Sequence, residues 1–140
     1  MSTPQLNVDV QAGSVALPPD RFPVVGERTL LKQVLEEMTR CGIGIACVVS
    51  EDDGRFLGVF TDGNLRRMLL RNQKPLPALL TDDVIVHTNR NCTVIHPSDR
   101  LIDAVRVMED KAIWDLPIVE RGRLKGLLHL HPAIKHLLGL

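Results

Sequence analysis

Hydrophobic and polar positions follow two rhythms, and both occur twice along the chain. Leu31, Val34, Leu35 and Met38 stand at i, i+3, i+4 and i+7, the spacing of one apolar helix stripe. Leu101, Ala104, Val105 and Met108 repeat that stripe at an offset of 70 residues. Polar Thr29 and Ser98-Asp99 precede the two stripes as candidate helix caps. A short extended segment leads into each helix, at 23–25 and 93–95. Each helix is followed by an apolar run that predicts a buried strand, at 45–49 and 116–119. Asp53-Gly54 and Arg121-Gly122 then predict tight turns into second strands at 56–60 and 124–128. Closing helices are expected at about 64–70 and 132–138, and 76–80 can make one helical turn.

The letters repeat with the roles. Val25, Ile43 and Val48 meet Ile95, Ile113 and Ile118 at the offset of 70. A turn two residues shorter changes the offset to 68, at which Gly54-Arg55 and Gly58 meet Gly122-Arg123 and Gly126. The order β-α-β-β-α, twice, predicts a mixed α+β fold of two repeats, 21–74 and 75–140. Residues 1–20, with Pro4, Gly13, Pro18 and Pro19, are expected to be a tail or linker. A unit of this size cannot hide one face of its small sheet alone. The two repeats are therefore expected to pack face to face with pseudo-two-fold symmetry, leaving clefts between them.

Composition narrows the function classes. Seventeen basic and seventeen acidic side chains cancel, which argues against a nucleic-acid or anionic-membrane binder. Three Phe, one Trp and no Tyr leave little for base-stacking platforms. The longest apolar run, 42–49, is far too short for a membrane span, and the first ten residues lack the pattern of a secretory signal. Cys41, Cys47 and Cys92 form neither a disulfide framework nor a zinc knuckle, so a cytoplasmic protein with reduced thiols is expected.

Three stretches carry a family likeness: 58–67 (GVFTDGNLRR), its counterpart 126–133 (GLLHLHPA) and the 116–119 strand (LPIV). Together they resemble a tandem pair of CBS (cystathionine β-synthase) domains, most like the pair at the C-terminus of bacterial arabinose-5-phosphate isomerases. The likeness covers about residues 21–140. It implies a non-catalytic regulatory module that binds a nucleotide-type ligand (AMP, ADP, ATP or a CMP-sugar) in the cleft between repeats. No cofactor is required. It also implies a homodimer serving a sugar-phosphate catalytic domain in the same chain or in a partner, with neither nucleic acid nor membrane involved. The alternative is a ligand-free structural module that dimerises or braces such an enzyme.

The resemblance implies a ligand site on Val25, Gly44, Ala46, Thr61, Asp62 and Asn64 in the first repeat and Trp114, Leu116, His129 and His131 in the second. Thr61 to Asn64 stand where a strand gives way to a helix, a place whose free N–H groups favour phosphate. They can equally serve as helix caps alone. Where the family carries an Asp that grips ribose, this chain has Asn64 and Pro132. Binding is therefore expected to be weakened in the first repeat, and in the second no side chain is expected to hold the ribose. His129 takes the place of the Thr. Trp114 can stack on a base or fill the core, and its counterpart Gly44 leaves more room, so the two sites should differ. His129, His131 and His136 fall short of a metal signature. Arg66, Arg67, Arg71 and Lys74 read as a solvated helix face. Dispersed acids such as Asp62 and Asp115 have no partner identifiable in sequence, and no nucleophile or P-loop motif marks an enzyme.

Overall fold

The computed structural model describes residues 9–140, so the first eight residues of the expected tail lie outside it. The elements in chain order are β1 (Val24–Gly26), α1 (Leu31–Cys41), β2 (Ile45–Val49), β3 (Phe56–Thr61), α2 (Asp62–Arg71), α3 (Leu76–Leu80), α4 (Leu101–Lys111), β4 (Asp115–Glu120), β5 (Arg123–His129) and α5 (Leu130–Leu137). Short 3-10 turns occupy Ala12–Ser14 and Val84–His87. This is the mixed α+β architecture that the repeated pattern predicts.

The duplication extends to register. Parallel β1 sets Val25 opposite Val48, and antiparallel β3 sets Thr61 opposite Ile45. In the second copy Ile95 bridges Ile118 in parallel, and His129 lies opposite Asp115. The leading segment of that copy is this single bridge rather than a full strand. Both hairpins shift register at the same point, between Val48 and Val49 and between Ile118 and Val119. An extra residue there bends the strand and increases its twist.

Two compact units result, and their bounds differ from the expected repeats. One comprises Asp20–Cys92; the other joins Thr93–Leu140 to the N-terminal segment ending at Pro19. Residues 75–92, assigned from sequence to the second repeat, thus pack with the first. The segment 9–19, expected to be a tail, is part of the second. Its place follows from main-chain hydrogen bonding. Leu101 N–H donates to the Val10 carbonyl (2.8 Å), Ala12 N–H to that of Asp99 (2.8 Å), and Leu17 exchanges hydrogen bonds with Leu127 (2.8 and 3.1 Å). In the other unit Leu31 N–H donates to the Asp82 carbonyl (2.9 Å), and Asn89 exchanges hydrogen bonds with Val59 (3.0 and 2.8 Å). Residues 82–89 and 10–17 therefore do the same job in the two units.

These strips also take over a role expected of side chains. Neither Leu30 nor Arg100, the N-cap residues of α1 and α4, makes a side-chain cap, and Thr29 and Ser98 do not supply one. The first N–H groups of these helices are satisfied by the carbonyls of Asp82 and Val10 instead. The Asp99 carboxylate accepts from His96 N–H (2.9 Å), one turn earlier.

Each unit has its own core. Val25, Leu31, Val34, Met38, Ala46, Val48, Phe60, Met68, Leu79 and Val84 cluster in the first. Ala12, Ile95, Leu101, Ala104, Met108, Leu116, Ile118, Leu128 and Ala133 cluster in the second. Both helix stripes point inward as their spacing requires. Arg66, Arg67 and Arg71 are exposed on α2, as a solvated face should be, but Leu69 is exposed with them and Met68 alone is buried on that helix. Among the described residues no helix is long and apolar enough to cross a membrane.

The helix ends show one cost of duplication. Gly42 closes α1 in the left-handed conformation (φ 68°), and Ala112 closes α4 in the same conformation (φ 53°). A Cβ disfavours that conformation by about 1 kcal/mol or more. Ala112→Gly is expected to raise unfolding free energy by about 0.5–1 kcal/mol, measured by urea denaturation. An unchanged or lower midpoint would show that the left-handed residue carries no strain.

Candidate functional site

At the end of each hairpin a strand passes into a helix, and the two junctions are built from different chemistry. In the first unit Thr61 is the N-cap of α2. The Asn64 N–H donates to Thr61 Oγ1 (3.1 Å), while Thr61 N–H and the Thr61 hydroxyl both donate to Asn64 Oδ1 (2.9 and 2.8 Å). This capping box occupies the Asn64 carbonyl with two donors and leaves its NH2 group to meet anything else. Asp62 N–H donates to the Gly44 carbonyl (3.1 Å), and the Asp62 carboxylate lies over Gly44, where a Cβ would come within 2.5 Å of Oδ2. The open space expected beside Gly44 is thus filled by Asp62. An acidic residue in the first turn also offsets the positive end of α2.

The second unit keeps the main-chain bond of this junction and loses its side-chain features. Leu130 N–H donates to the Trp114 carbonyl (2.9 Å), the counterpart of the Asp62–Gly44 bond. His129, the N-cap of α5, makes no side-chain cap, and no acid stands in the first turn. An open cleft of about 400 Å³ results, lined by Trp114, His129, Leu130, His131, Ile134, Lys135 and Leu140. The Trp114 side chain is not core: the residue is 70% exposed. The indole offers a flat apolar face with a cation-bearing helix alongside.

His129 is held from behind. Its Nδ1 lies 2.6 Å from Oδ1 of Asp115, directly across the β4–β5 ladder. Both side chains are largely covered, at 28% and 12% exposure. Burial pushes the Asp115 carboxyl above its ordinary range, and the hydrogen bond and charge of His129 offset only part of that rise. The contact with Asp115 fixes the ring and leaves Nε2 as the nitrogen open to a ligand.

The structure therefore brings together Trp114, His129 and His131 from the sequence-derived set, and separately pairs Gly44 with Asp62 and Thr61 with Asn64. Val25, Ala46 and Leu116 behave differently: their side chains are packed in the two cores, and only their main chain could meet a ligand. Lys135, Ile134, Leu140 and Asp115 were not among the expected site residues. Asp115 was within reach of the sequence, because the repeat offsets map the Ile45–Thr61 pair onto Asp115–His129. Lys135 follows from helical spacing, since residues 131 and 135 share a face. Among the described residues no group of three His, Cys, Asp or Glu side chains gathers as a metal ion would need.

Comparison with known proteins agrees with the duplication. The CBS domain family matches at residues 14–71 and again at 82–136. Arabinose 5-phosphate isomerase KdsD of Yersinia pestis is 29% identical over 114 residues, which are 81% of this chain and 33% of the enzyme. KdsD of Pseudomonas aeruginosa is 32% identical over 115 residues, 81% of this chain and 34% of the enzyme. The chain thus spans about a third of the length of these curated relatives. Among solved structures, CBSX2 in complex with AMP superposes with a TM-score of 0.76 at 22% identity, covering 89% of this chain and 93% of that one. With two matches that together take in most of its length, the chain belongs to the CBS domain family as a pair of such domains.

Proposed function

We propose that this CBS pair is a regulatory module that binds a nucleotide-type ligand and adjusts the activity of a sugar-phosphate enzyme, attached or separate. The observation that carries this reading is the cleft of the second unit, where exposed Trp114 stands beside His129, His131 and Lys135. Flat aromatic surface next to positive groups suits a base joined to a phosphate. CBSX2, of the same fold, was solved with AMP bound, and the curated relatives are arabinose 5-phosphate isomerases. A ligand that prefers one of two arrangements of the module would shift an enzyme by its differential affinity for them. The exposed Leu69, Leu70 and Leu76 on the first unit, and Ile134 and Leu138 on the second, are apolar surface suited to a homodimer or to the catalytic domain.

A thermal-shift panel of AMP, ADP, ATP, S-adenosylmethionine, CMP and CMP-Kdo tests the reading. A ligand present at one hundred times its dissociation constant should stabilise the chain by about 2.7 kcal/mol. Trp114→Ala should abolish the shift yet leave the ligand-free midpoint almost unchanged, because an exposed side chain contributes little to stability. No shift with any member of the panel would favour the second reading, a ligand-free structural module. The closed Thr61–Asn64 box and the proline at 132 favour that alternative.

A further inference from the structure

The two strand-to-helix junctions occupy equivalent places yet differ in charge, and the difference selects a ligand chemistry. The junction at α2 is self-satisfied: Thr61 and Asn64 close the cap, and the carboxylate of Asp62 lies against Gly44. The cleft at α5 has the opposite character. Its ionisable side chains are those of His129, His131 and Lys135, and Leu140 lines it as well. The Asp115 carboxylate faces His129 Nδ1. Arginine, aspartate and glutamate are absent from the lining. The start of α5 adds its partial positive charge to the same space.

We infer that this cleft discriminates in favour of anionic ligands carrying a flat ring, the ring resting on Trp114 and the charged group meeting His129 Nε2, with Asp115 as the positioning residue. The inference rests on the nucleotide-sensing reading and adds to it the group that reads the ligand's charge. Its chemistry is simple. A ligand anion accepts a hydrogen bond from Nε2–H while Nδ1 faces Asp115, so one ring bridges the ligand and the carboxyl group. Without Asp115 the imidazole would lose the contact that orients it. His131 and Lys135, one turn apart on α5, supply further donors.

The chain contains a single tryptophan, so its emission reports occupancy of this cleft directly. Titrations of the full chain with AMP and with adenosine should show AMP binding at least about tenfold more tightly, the scale of one charge-assisted contact. His129→Gln should remove most of that preference while leaving adenosine affinity within about twofold. Asp115→Ala should weaken AMP selectively, and Asp115→Asn, whose carbonyl still accepts from Nδ1–H, should restore part of the loss. A merely structural role for the pair would instead weaken AMP and adenosine equally, and melting curves of each variant identify any loss of fold. Equal affinity for AMP and adenosine in the wild type would overturn the inference and leave nucleotide sensing standing. An unchanged AMP preference in His129→Gln would do the same. If neither compound quenches Trp114 and the nucleotide panel gives no thermal shift, the sensing reading fails, and the inference with it.

Discussion

A chain that starts at Asp20 is expected to lose at least about 3 kcal/mol of stability, with the loss concentrated in the unit formed by Thr93–Leu140. The removed strip contributes Ala12, which is fully buried, and Val10, Val15 and Ala16, which pack against the same core. Apolar area of that extent accounts for roughly 2 kcal/mol or more. The truncation also leaves Leu127 N–H and Leu101 N–H without their acceptors, Leu17 and Val10. A net hydrogen bond is worth about 1 kcal/mol, and a buried donor left unmet costs more. Urea denaturation measures the total. Hydrogen exchange localises it: the amides of Leu101 and Leu127 should exchange faster, while Val59, which pairs with Asn89 in the other unit, should keep its protection. Unchanged exchange at Leu127 would show that the strip is an ornament.

Gly58→Ala and Gly126→Ala are each expected to cost about 1–3 kcal/mol, as overpacking usually does. The strip carbonyl crosses so near each strand that the glycine is what admits it. A Cβ on Gly126 would stand 2.9 Å from the Leu17 carbonyl oxygen and 3.0 Å from the Ala16 Cβ. One on Gly58 would fall against the Asn89 carbonyl and the Thr88 side chain. In both cases the nearest obstruction is a main-chain carbonyl, which cannot swing aside as a side-chain end can. A cycle with the truncation gives the sharper test. Once Leu17 is gone, Gly126→Ala should cost little, whereas Gly58→Ala should cost as much as before. Additive losses for Gly126→Ala and the truncation would mean that the glycine answers to something other than the strip.

The fold was largely legible because its signals are local and repeated. Helix stripes at Leu31–Met38 and Leu101–Met108, glycines at the turns and apolar runs for the strands depend on near neighbours, and each copy corroborated the other. The strips were not legible. Residues 10–17 and 82–89 share almost no letters, since their contribution is made by main-chain N–H and carbonyl groups that any residue carries. Neither strip shows a helical stripe or a sustained strand alternation, and a strip's partner lies across the chain rather than beside it. The polar residues ahead of α1 and α4 were misleading for the same reason: Thr29 and Ser98 suit caps, but carbonyls from Asp82 and Val10 had already satisfied those helix ends.

The candidate site divides in the same way. The family resemblance put Trp114, His129 and His131 among the expected ligand residues of the second repeat, and in the structure all three line one cleft. Sequence also marked Thr61 and Asn64 as a strand-to-helix junction but left cap and ligand roles open; the structure builds the cap, with both hydrogen-bond donors of Thr61 directed onto Asn64. By itself the sequence determined the duplication, the order of elements and the kinds of chemistry at each junction, because these follow from periodicity and residue type. Only the tertiary structure decided which strips complete which core, that Asp115 holds His129, and that Asp62 fills one junction while the other lies open. Those outcomes depend on distances between atoms far apart in the chain, and a one-dimensional pattern does not contain them.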